Sequence, residues 1–115
     1  MAQNQTQPTQ TTQIAKSPWF EISREVEPDT IRLIVRYVDR FDKTVYAMRI
    51  FELCGDTLRM RTKWNMPETK GERVLATVKL EDAEQWRHRM LSAETVKDFE
   101  RLMWELDEII LKANS

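Results

Sequence analysis

Between residues 57 and 64 polar and apolar positions alternate without a break. Thr57, Arg59, Arg61 and Lys63 fall on one side, and Leu58, Met60, Thr62 and Trp64 on the other. Alternation of period two is the mark of a half-buried β-strand, because successive side chains leave opposite faces of the pleat. Residues 30–38 read the same way, rich in β-branched and aromatic types, with Ile31, Leu33, Val35 and Tyr37 on one face and Arg32 and Arg36 on the other. Residues 44–53 form a further strand with a less regular pattern. Residues 73–80 form the last, with Val74, Ala76, Val78 and Leu80 inward and Arg73 and Lys79 outward. Asp39 to Asp42 and Cys54 to Asp56 supply tight connections, and a longer loop with Pro67 precedes the last strand. Short links between successive strands imply an antiparallel meander.

After Leu80 the period changes to about 3.6. Ala83, Trp86 and Met90 share one helical face, and Val96, Phe99, Met103, Leu106 and Ile110 continue it, widened by Leu102 and Ile109. Ser92 marks either a second N-cap or a kink in one helix over residues 81–113. Upstream, residues 1–17 hold five Gln, four Thr and no charge before Lys16, and are expected to be a disordered tail. Trp19 to Val26 fits a strand, or a short helix capped by Ser17 with Pro18 in its first turn. The fold expected is therefore α+β: four to five antiparallel strands within 19–80, then a long C-terminal helix, in one domain over 18–115.

Charge changes this picture more than composition does. The net charge of −1 hides an uneven distribution: residues 1–28 carry −1, residues 29–79 carry +4, and residues 80–115 carry −4. Glu52 is the one acid within the three central strands. A basic sheet beside an acidic helix is a hint of nucleic-acid or membrane contact, with an anionic protein or lipid as the further alternative to a nucleic-acid partner. Along residues 59–63 the three cations stand about 6.5–7 Å apart at ~3.3 Å per residue, similar to the phosphate repeat of a single strand. Single strands are bound by cationic surfaces with rings on which bases stack. The candidate contacts are Arg32, Arg36, Arg59, Arg61, Lys63, Arg73 and Lys79 for phosphates, and Tyr37, Tyr46 and Trp64, with Trp19 and Phe20, for bases. A solvated sheet face is the competing explanation of the cations, and the core that of Trp64.

Other chemistries find little to build on. One cysteine, Cys54, excludes an intrachain disulfide and favours a reducing, cytoplasmic location. One histidine, His88, beside that cysteine is too few for a tetrahedral metal site, and no cofactor is expected. Two glycines, Gly55 and Gly71, exclude glycine-rich phosphate loops. No membrane span or signal peptide is expected. Asp39 and Asp42 are explained by turn chemistry, and no enzyme motif is present.

Lys79 and Leu80, followed after a short link by Glu84, Gln85 and Trp86, give the chain a family resemblance. The segment resembles the passage from last strand to helix in the single-stranded-DNA-binding transcriptional coactivators and the related Whirly proteins. The pairing of a basic sheet with a C-terminal helix is also similar to archaeal ThermoDBP-type single-strand-binding proteins. The resemblance implies single-strand binding across the sheet and a homodimer formed through the helix, placing Val96, Phe99, Met103, Leu106 and Ile110 at the dimer contact. The alternatives are a protein–protein adaptor working through the acidic helix and a half-barrel that holds a small ligand beneath the helix.

Overall fold

The computed structural model describes residues 9–65 and 70–114. Six strands run in chain order as one antiparallel sheet: β1 (Gln10–Lys16), β2 (Phe20–Val26), β3 (Thr30–Val38), β4 (Val45–Cys54), β5 (Thr57–Asn65) and β6 (Lys70–Lys79). Two helices follow, α1 (Ala83–Ser92) and α2 (Val96–Asn114). The α+β class and the order of sheet before helix are as the periodicity predicts, with more strands than expected. The sequence from Gln10 to Lys16 is not tail but an edge strand paired along β2. The rest of the expected tail, residues 1–8, lies outside the described residues, as does Pro67.

Ser17 shows why the helical reading of the next segment fails. Its hydroxyl accepts from the amides of Trp19 and Phe20, both at 3.2 Å, as a cap would. It does so within a turn, since Ser17 N–H also donates to Phe20 O at 2.8 Å, and β2 leaves from there. The helices part at Ala93–Thr95, where the Ala93 backbone is extended (φ −69°, ψ 124°).

One sheet face carries the helices. Ile22, Ile31, Leu33, Val35, Phe51, Leu53, Leu58 and Met60 pack there against Met90, Phe99, Leu102, Leu106 and Ile110. The helical stripe is thus spent on the chain's own sheet. Phe99, Leu106 and Ile110 are buried and Met103 is half-buried against the same core, which corrects their expected place at a dimer contact. Polar clamps fix the helices. Arg24 of β2 donates to the carbonyls of Met90 (3.1 Å) and Ala93 (2.7 Å) at the end of α1. Arg89 of α1 grips Glu105 of α2 through two bonds of 2.9 and 2.6 Å. Arg49 of β4 reaches Asp107 of α2. No described helix is long and apolar enough to cross a membrane.

Candidate nucleic-acid interface

The uncovered sheet face is built in cross-strand rows. One row reads Glu25, Arg32, Glu52, Arg59 across β2 to β5, each residue directly opposite the next. A second reads Ser23, Ile34, Ile50, Arg61, Val74, and a third Glu21, Arg36, Met48, Lys63, Glu72. The cations that looked unopposed along β5 meet their acids on neighbouring strands. Glu52 accepts from Arg32 Nε at 2.7 Å and from Arg59 Nε at 3.1 Å, and it lies 3.9 Å from Arg61. Arg32 also reaches Glu27 (2.9 Å) and Glu25 (3.5 Å). Arg61 pairs with Glu72 at 3.0 Å, Lys63 with the same carboxylate at 4.0 Å, and Lys79 with Asp56 at 3.7 Å. Arg36 donates to Ser23 Oγ at 2.8 Å.

Glu52 holds this lattice together. It is 6% exposed, on a face that neither described helix covers. Burial pushes its carboxyl up, but the hydrogen bonds and charges of Arg32 and Arg59 outweigh it, so the group stays below the usual carboxylate range. The guanidinium of Arg32 is pushed up, first by its bond to Glu27 against the opposing effect of burial, then by Glu52. Ile34 and Ile50 are buried in the middle of this wet face, flanked by the rows of long charged side chains whose stems can screen them. Cross-strand pairs of opposite sign stabilise a sheet, so the lattice is sufficiently explained by structure. It is not a free cationic track.

Register also divides the expected site. Tyr37 and Trp64 sit on the helix-bearing face, opposite Phe20 and Ala47, whereas Arg32, Arg59, Arg61 and Lys63 sit on the other. Arg73 is on the Trp64 side, because Met60 pairs with Ala76 but Arg61 pairs with Val74, one residue being bulged out between them. This reverses the expected orientation of that half of β6: Arg73 lies opposite Thr62, and Val74, expected inward, is 49% exposed.

What the meander does bring together is one end of the sheet. The links β1–β2 and β3–β4 turn there, and β5 ends and β6 begins at the same end. Six of the ten aromatic residues gather at that end: Trp19, Phe20, Tyr37, Phe41, Tyr46 and Trp64. Trp19 is 51% exposed and Phe41 is 88% exposed at the hairpin tip. Arg40 lies over both rings, 4.5 Å from the Trp19 centroid and 5.7 Å from that of Phe41. The tip is rigidly made. Asp39 Oδ1 accepts from the amides of Phe41 (2.8 Å) and Asp42 (3.2 Å), Asp42 accepts from Thr44, and Lys43 takes the left-handed φ of 66° that closes the turn. The Thr44 hydroxyl and amide hold the Asp42 carboxyl below its ordinary range.

Among the described residues, Lys16, Arg36, Arg40, Lys43, Lys63, Lys70 and Arg73 share this end with Glu21, Asp39, Asp42 and Glu72, seven cations to four carboxylates. Among the described residues, no carboxylate is within ion-pair distance of Lys16, Arg40, Lys43 or Arg73. Arg40, Phe41 and Lys43 are absent from the sequence-derived site, since along the chain they read only as a turn. The parity of a meander, which sends alternate links to one end, is the signal that would have found them. Among the described residues, no group of three or more His, Cys, Asp or Glu could hold a metal. Comparison with protein-family models, with curated proteins and with solved structures returned no match.

Proposed function

We propose that the protein is a non-enzymatic single-stranded nucleic-acid-binding module whose contact surface is the aromatic end of the sheet. The observation that supports this most is the exposed Trp19–Arg40–Phe41 stack, at the same end of the sheet as Tyr46 and Trp64. Exposed rings are costly to leave in water and give bases a stacking platform of about 1–3 kcal/mol each. Stacking on these rings is the sequence-tolerant part of the binding, and the excess of cations at the same end supplies phosphate attraction beside it. The charge lattice on the open face supports the sheet and makes at most secondary contacts through Arg36 and Lys63. The test sets two variants against one labelled single strand in fluorescence anisotropy. Trp19→Ala/Phe41→Ala should weaken binding tenfold or more, and Arg59→Gln should change it less than threefold. Equal effects, or a larger loss for Arg59→Gln, contradict the reading.

A second reading rests on Trp104, which is 82% exposed on α2 with Leu111 one heptad on. It edges a hollow of about 770 Å³ that also involves Arg49, Met103 and Asp107. Trp104 and the exposed Leu111 give that flank an apolar stripe that two antiparallel copies would bury against each other, bordered by charges of both signs at Lys97, Asp98, Glu100 and Arg101. On this reading the chain is an adaptor that self-associates through that flank of α2. A mass by light scattering that stays at one chain over the whole micromolar range sinks it.

A further inference from the structure

We propose that the hollow between Tyr46 and Trp64 seats one unpaired nucleobase of a bound single strand, an inference that rests on the reading above and deepens it. β4 carries one residue more than β3 here: Tyr37 lies opposite Ala47 and Val38 opposite Val45, leaving Tyr46 bulged with no cross-strand partner. Such a bulge re-aims a side chain out of the regular pleat. Trp64 is fixed from the other side. A Cβ on Gly71 would fall 2.5 Å from Trp64 Cζ2 and 2.9 Å from Cε2, so the indole lies directly on bare backbone. The two rings line a hollow of about 440 Å³ with Ala47, Lys63, Asn65 and the Glu72 carboxylate. That is the low end of the range of about 300–1,000 Å³ for ligand sites, the size for one ring system rather than a folded partner.

The polar groups suit the same occupant. Asn65 carries two donors and an acceptor on one planar amide, the complement of a base edge. Lys63, 42% exposed at its side chain and held, among the described residues, only by a 4.0 Å contact to Glu72, is the cation for the phosphate that follows the base. In a duplex both base faces are stacked and the edge is paired, so a site of this kind accepts only bases free of both constraints. The hollow therefore selects single strands, and the exposed Trp19–Arg40–Phe41 stack receives the neighbouring bases.

Photocrosslinking with a single-stranded oligonucleotide carrying 5-iodouracil, using the full chain, tests this directly. Peptide mapping is expected to place adducts on Tyr46 or Trp64, and Tyr46→Ala, which retains all four tryptophans, is expected to weaken binding about fivefold or more. Adducts confined to Trp19 and Phe41, with Tyr46→Ala binding as the wild type does, overturn the base site and leave the functional reading standing. Absence of binding to any single strand overturns both. Adducts on a protein partner surface such as Trp104 alone also contradict the proposal.

Discussion

The indole of Trp64 lies on the backbone of Gly71, its directly opposed neighbour on β6, so closely that no Cβ fits between them. The pair explains why one of only two glycines sits inside a strand, where glycine otherwise weakens the ladder. Gly71→Ala should displace the ring and cost about 1–3 kcal/mol of stability, the usual range for overpacking. In a Trp64→Ala background the same change should cost far less. Urea unfolding of the two single variants and the double variant measures the coupling, and additive effects would refute the contact.

Glu52 makes an acid-sensitive centre for the sheet. Its carboxyl is held below the ordinary range in the folded chain, so the stability it confers is complete above the unfolded value of about 4.3 and is lost as pH falls through the folded one. Glu105, held low first by the Arg89 hydrogen bonds, acts in the same sense. Glu52→Ala should cost about 3 kcal/mol at pH 7, since it leaves Arg32 and Arg59 without their shared acceptor. Glu52→Gln should flatten the acid limb of a stability–pH curve. An unchanged acid limb contradicts the assignment.

Arg24 reads in the sequence as an ordinary strand cation, yet it closes the end of α1 through two carbonyls. Arg24→Met keeps the side chain's bulk and removes both bonds. It should destabilise the protein by about 1.5–3 kcal/mol, the range for hydrogen bonds to a charged group. Amide exchange should quicken first in α1. Uniform acceleration across the sheet would show that the bond does not anchor that helix.

These three contacts show where sequence reading reaches its limit. Strand and helix periods are local, so the α+β order, the β3 to β6 segments and the apolar stripe through Phe99, Leu106 and Ile110 were legible from spacing, whereas the choice of strand for β2 and the surface that the stripe covers were not. Which residue faces which is not local. A single bulge turned Arg73 and Val74 over, and register set Glu25, Glu52 and Glu72 against the cations that looked free along β5. Gln10 to Lys16 looked too polar to order, but an edge strand needs few apolar groups when its backbone bonds along β2. Of the residues expected to form the site, Tyr46, Trp64 and Lys63 line one hollow, while Arg32 and Arg59 belong to the structural lattice.

Trp104 should be nearly silent in stability, because a surface side chain away from packing or buried bonds contributes within about 0.5 kcal/mol. If the flank of α2 joins two copies, Trp104→Ala should return a particle of twice 13.8 kDa to a single chain without changing the melting temperature extrapolated to low concentration. A wild-type mass of one chain removes the second reading.

The most direct test of single-strand binding at the aromatic end is a salt series. Anisotropy of a labelled single strand is measured against the wild type at several salt concentrations, with an unlabelled duplex of the same sequence as competitor. Binding that stacks bases and neutralises only two or three phosphates should give a log–log slope of about −1.4 to −2.1, and the duplex should compete poorly. No binding at low salt, or a duplex that competes as well as the single strand, would contradict the account.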